Sequence, residues 1–128
     1  MYKPILAGQV LWSFDYELLQ RDSFHDLGAH FSGANPFHTH EGEITLIDNK
    51  LLIRGDEDLE IPLGTLQQIY LGFDETFPRT LVKNFGLFWQ PLRLSLSNGQ
   101  KLYLTIDYNM LGAKNQLWFN ELTEMLSD

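Results

Sequence analysis

Cysteine is absent from the 128 residues. Its absence removes thiolate metal ligands, a thiol nucleophile and any disulfide framework, and it suits a reducing compartment. Long apolar runs are missing as well. No window approaches the roughly eighteen uninterrupted apolar residues of a membrane-spanning helix, and the apolar stretch after Met1-Tyr2-Lys3-Pro4 is too short for a signal peptide. A cytoplasmic location is therefore the expectation, with a membrane partner disfavoured. Basic side chains are scarce, nine against seventeen acidic, for a net charge of −8. This speaks against nucleic acid, whose binders displace counterions with a basic surface. There is no Pro/Gly/Ser-rich linker, no low-complexity run and no repeat at a solenoid period. What is present is 44% apolar and 13% aromatic residues, too many for a disordered chain and enough for one core. A single domain over residues 1–128 is expected.

The charge is unevenly spread. Residues 41–75 carry −7, whereas residues 76–105 carry +4 and no carboxylate at all. The acid-free window also holds Phe77, Phe85, Phe88, Trp89 and Tyr103. Cations beside large rigid rings suit an acidic or aromatic partner, so Arg79, Lys83, Phe85, Phe88 and Trp89 form the candidate partner-binding surface. The alternative is that the rings are strand core and the charges their outward neighbours.

Periodicity gives mostly short strands and one helix. Val10, Trp12, Phe14, Tyr16 and Leu18 alternate with Ser13, Asp15 and Glu17, the period of a half-buried strand. Residues 20–41 are irregular and polar. Glu43–Ile47 and Lys50–Arg54 flank Asp48-Asn49, a hairpin turn. Leu59–Pro62 follows, and Pro62, without an amide donor, must end that strand or lie on an edge. Leu66–Phe73 is another strand, and Phe85–Trp89 a further one. Leu92–Leu96 and Leu102–Ile106 flank Asn98-Gly99, a type I′ turn dipeptide. From Leu111 the period becomes helical, with Leu111, Trp118, Leu122 and Met125 on one stripe. A buried Trp118 predicts a loss of roughly 3–5 kcal/mol on Trp118→Ala, read by chemical denaturation.

Gly42-Glu43-Ile44-Thr45-Leu46-Ile47 with Leu51-Leu52-Ile53, then Ile61-Pro62-Leu63 followed by Leu66 and Ile69, resembles the bacterial and GRAM-type members of the pleckstrin-homology-like superfamily. Trp118 matches the helix tryptophan common in those domains. The resemblance covers about residues 42–126. It implies a mainly β fold, an antiparallel barrel or orthogonal sandwich of about seven strands closed by one C-terminal amphipathic helix. Residues 1–41 form an N-terminal extension that adds a strand and a loop, at an edge or across the barrel mouth. Similar domains bind phosphoinositides, peptides or proteins. Here the first-hairpin loop Asp48-Asn49-Lys50 is too short and acidic to cradle a phosphate. The implied function is a non-catalytic, intracellular interaction module for a protein or peptide, including a second copy of itself, with no cofactor. A weak anionic-lipid binder is an alternative.

The other alternative is a divalent-metal-dependent binder or enzyme using the segment His25–His40, where all four histidines lie: His25, His30, His38 and His40. On an extended strand His38 and His40 share a face at about 7 Å, with Asp26, Glu41 and Glu43 as candidate oxygen ligands. The spacing matches no established metal motif, and a solvated loop is the simpler reading. Asp15 and Glu17 read as a solvated strand face. Asp56-Glu57-Asp58 lacks the periodicity of a calcium loop. No phosphate-binding glycine loop or nucleophile elbow is present.

Overall fold

The computed structural model describes residues 5–20, 38–79, 89–109 and 112–126. Along the chain these form β1 (Leu6–Phe14), α1 (Asp15–Leu19), β2 (His40–Ile47), β3 (Lys50–Gly55), β4 (Leu59–Pro62), a 3₁₀ turn (Leu63–Thr65), β5 (Leu66–Leu71), β6 (Leu92–Leu96), β7 (Lys101–Ile106) and α2 (Asn115–Leu126). The seven described strands make one antiparallel sheet in the order β4-β3-β2-β1-β7-β6-β5. The fold is mainly β, as the alternation implied, and takes the form of a curled half-barrel closed by the C-terminal helix. Of the strand expected at Phe85–Trp89 only Trp89 is described, and it lies outside any strand. β1 completes the seven. It sits mid-sheet between β2 and β7, pairing Val10 with both Gly42 and Ile106, and is not an edge addition.

The curl follows from one short link. β4 and β5 occupy opposite edges of the sheet, yet only Leu63–Thr65 separate them in sequence. Three residues span at most about 11 Å, so the edges must converge at that end. The link is pinned on both sides: Leu63 N–H donates to the Asn49 carbonyl in the first hairpin, and Ser97 N–H to the Thr65 carbonyl from the second. Pro62 ends β4 on the sheet edge, where its missing N–H leaves no ladder bond unmade.

The concave face holds the main core, including Trp12, Ile44, Ile53, Leu94, Leu104 and Trp118, each at most 1% exposed. Trp118 and Leu122 bury the helix stripe there, with Met125 and Phe119 partly covered. The convex face of β7 is covered as well: Tyr103 and Thr105, with Ser13 of β1, are almost fully buried. Tyr103 clusters with Leu18 and Phe77, and the partly buried Phe73 and Trp89 pack against that cluster. A second small core thus covers the central strands from outside.

Two local expectations change. The strand expected through Leu18 stops at Phe14 and turns into the five-residue α1. Glu17 reaches back to accept the Phe14 N–H at 2.8 Å, which is the N3 half of a capping box; the Phe14 ring has no oxygen to supply the other half. At Asn98-Gly99 the turn is not type I′, which needs positive φ at both central residues. Only Gly99 has it, at 92°. Gly99 N–H donates to the Leu96 carbonyl and Leu96 N–H to Gln100, a three-residue loop with glycine at the left-handed position. Between β2 and β3 the two-residue turn at Asp48-Asn49 stands, with Asp48 at φ 56°.

A buried amide anchors α2. Asn115, 2% exposed, accepts the Ile106 N–H and donates to the carbonyls of Leu104 and Gln90. Its Nδ2 and Oδ1 thereby tie the helix start to β7.

Candidate functional site

His40 opens β2 where β1 ends, with Trp12 as its cross-strand partner. Its ring stacks on the Trp12 indole at 4.2 Å between centroids. Both ring nitrogens meet carboxylates: Nε2 lies 2.6 Å from Glu17 Oε2 and Nδ1 lies 2.7 Å from Asp56 Oδ2. Glu57 Oε2 is 3.9 Å from Nε2. Two separate pieces of backbone chemistry deliver these acids. Glu17 is fixed by its bond to the Phe14 N–H, and Asp56 Oδ1 accepts the Glu41 N–H at 3.0 Å. The turn carrying Asp56 comes close because Gly42 faces Gly55 across β2 and β3. A Cβ on either glycine would stand about 2.2–2.3 Å from a backbone carbonyl oxygen, so no other residue permits this approach.

Burial alone would lower the His40 pKa. The hydrogen bonds to Asp56 and Glu17, and the charges of both, outweigh burial and hold it above its usual value. Asp56 likewise resists its partial desolvation and is held below the carboxylate range by His40 and the Glu41 amide. The expectation that Glu17 lies on a solvated strand face is thus corrected: its side chain is only 17% exposed. Helical winding at Asp15 turns it toward β2.

His38 does not join this arrangement; its Nε2 lies 3.5 Å from Glu41. His25, His30 and Asp26 lie outside the described residues. Among the described residues no three His, Asp or Glu side chains are placed to hold a metal ion.

Of the candidate partner surface, Lys83, Phe85 and Phe88 lie outside the described residues. Arg79 and Trp89 are brought to one ring: the Arg79 guanidinium sits 4.7 Å over Phe73, and Trp89 packs 6.2 Å from the same centroid. Trp89 also meets the Tyr108 ring edge-on at 5.7 Å. These contacts draw both residues into the convex-face cluster. Beneath it lies a second carboxylate-centred network. Asp74 Oδ2 receives Arg93 at 2.8 Å and the Tyr103 hydroxyl at 2.7 Å, while Asp74 Oδ1 receives the amides of Thr76 and Phe77. Burial opposes the Asp74 charge, but the Phe77 amide, Tyr103 and Arg93 together hold its carboxyl low. Burial, then Asp74, push the Tyr103 hydroxyl far above its usual range. The other Arg93 amine donates to Gln68 at 2.8 Å, and the guanidinium stacks on Tyr70.

A groove of about 460 Å³ runs between β5 and α2, lined by Leu66, Gln67, Gln68, Ile69, Phe119, Thr123 and Leu126. Sequence reading missed it. β5 is a sheet edge, and its ladder to β6 slips between Leu66 and Gln68. Leu126 is 40% exposed beside it. Amphipathicity hinted at this: Leu117 and Leu126 lie off the core stripe of α2.

Comparison with protein-family models, curated proteins and solved structures returned no match.

Proposed function

We propose that the protein is a non-catalytic interaction module of the cytoplasm that binds an extended segment of a protein partner along β5. The observation that carries this reading is the pairing of an edge strand with a groove: among the described residues β5 ends the sheet, and Leu66, Ile69, Phe119 and Leu126, with Gln67, Gln68 and Thr123 between them, line the trough beside it. An edge strand offers a row of backbone donors and acceptors that an added strand completes, while the groove reads alternate side chains. A second copy of the chain is one such partner. Kinship with the pleckstrin-homology-like superfamily belongs to the same reading, supported by the meander of strands and the helix that follows them. Of the two described histidines, His40 has both ring nitrogens occupied, and the Ser13 hydroxyl is bonded to Thr39. These contacts favour binding over catalysis.

Selection of binders from a library of displayed random peptides, followed by mapping of the best one through backbone amide shifts, tests the reading. A footprint on 66–71 and 117–126, weakened about tenfold by Leu126→Glu, supports it. No selected binder, or a footprint elsewhere, overturns it.

A further inference from the structure

We propose that His40 is a proton-operated latch: doubly protonated, it ties α1 to the turn between β3 and β4, and on losing one proton it keeps Glu17 and lets Asp56 go. Both neighbours are carboxylates, which only accept hydrogen bonds. Contacts of 2.6 Å to Glu17 and 2.7 Å to Asp56 at opposite ring nitrogens therefore require a proton on each nitrogen. A neutral imidazole has one, so one carboxylate must then face a bare lone pair, and that contact breaks.

Solvent decides which. The Asp56 side chain is 45% exposed and can rehydrate, while Glu17 is 17% exposed and held by the Phe14 amide. Leaving Glu17 Oε2 covered without a donor costs more than letting Asp56 Oδ2 turn to water. The proton of neutral His40 therefore stays on Nε2. The titratable and charged groups facing the ring among the described residues are Glu17 from α1 and Asp56 and Glu57 from the β3–β4 turn, while the carboxylate of Glu41, next on its own strand, pairs with His38. β1 contributes the neutral Trp12 ring. Burial opposes the charge, but the surrounding carboxylates outweigh it, so the latch opens above the usual histidine value, not below it. What it releases is the corner leading into the edge strand β4, where the Glu41 amide shares Asp56 with the ring.

The test is a pH titration of the intact protein, following the His40 ring nitrogens and the backbone amides together by nuclear magnetic resonance. The latch predicts a His40 midpoint above that of free histidine and the same midpoint in the amides of Glu41 and residues 55–58, with α1 amides unmoved. Asp56→Asn should lower the His40 midpoint and abolish the shared transition of the turn, while the ring keeps its Glu17 contact. A His40 midpoint at or below the ordinary value, turn amides that do not follow it, or release of α1 instead of the turn would each overturn the proposal. The wild-type titration alone decides these outcomes, so the proposal stands or falls even where a variant folds poorly.

Discussion

Glu17 and Asp74 hold the same kind of group under similar cover, with side chains 17% and 19% exposed and a cation at 2.6 and 2.8 Å. The difference lies in the cation. A guanidinium, unlike an imidazole, does not give up its proton near neutral pH, so the convex-face network is the permanent one. His40 holds its charge only by virtue of its neighbours, so the network at the start of β2 is conditional. Burial of a carboxylate is thus not enough to say what it does. Asp74 gathers Arg93, Tyr103 and two amides to weld the 74–77 segment onto β6 and β7, whereas Glu17 and Asp56 share a partner that one proton divides between them.

Breaking the permanent network should have the largest effect. Asp74→Ala leaves Arg93 buried without its counter-charge and is expected to destabilise by roughly 3–5 kcal/mol, with urea unfolding giving the same loss at pH 6 and pH 9. A loss that shrank at the higher pH would erase the contrast. His40→Gln comes next. At pH 6 it should cost about 1.5–3 kcal/mol, the range of hydrogen bonds to charged groups, and less at pH 9. The sign follows from the raised pKa: the stabilisation is fully present below the unfolded-state value and is lost as pH rises through the folded one. The wild type should therefore lose stability in that alkaline direction, and the variant should not. Smallest is Lys50→Ala. Lys50 and Glu60 meet at 2.7 Å with side chains 39% and 53% exposed, and an exposed pair contributes little. The denaturation midpoint should not move at either pH, which marks how far burial separates both networks from ordinary surface pairs.

The hairpins were legible because their information is local. Alternation on either side of Asp48-Asn49 and Asn98-Gly99 located β2, β3, β6 and β7, and the change of period located α2. The type of the second turn was not legible, since the same dipeptide serves a type I′ turn or a glycine bulge, and only the strand register chooses. β1 shows the opposite case. Its alternation runs on to Leu18 in sequence, but Glu17 is better satisfied capping a helical turn, and Leu18 finds Phe77 and Tyr103 on the far face. The charge map also changed meaning. Of the four cations in the acid-free window, Arg93 is paired with Asp74 and Arg79 lies on Phe73, so two of the four already have partners within the fold. The His40 cluster was out of reach for a plainer reason. Its partners come from 23 residues before and 16 after, and no spacing rule joins them. Only the Gly42–Gly55 pair, visible in sequence as two unremarkable glycines, made the approach possible.

The placement of β1 reaches beyond the finished structure. Its second neighbour is β7, with Val10 opposite Ile106, so nearly a hundred residues must be synthesised before that side of the strand is covered. During translation β2 to β4 can pair in sequence, but the flank of β1 meant for β7 waits, apolar and unladdered. The interval in which this protein is most exposed to wrong partners is thus set by the distance along the ribosome's product between its first strand and its last.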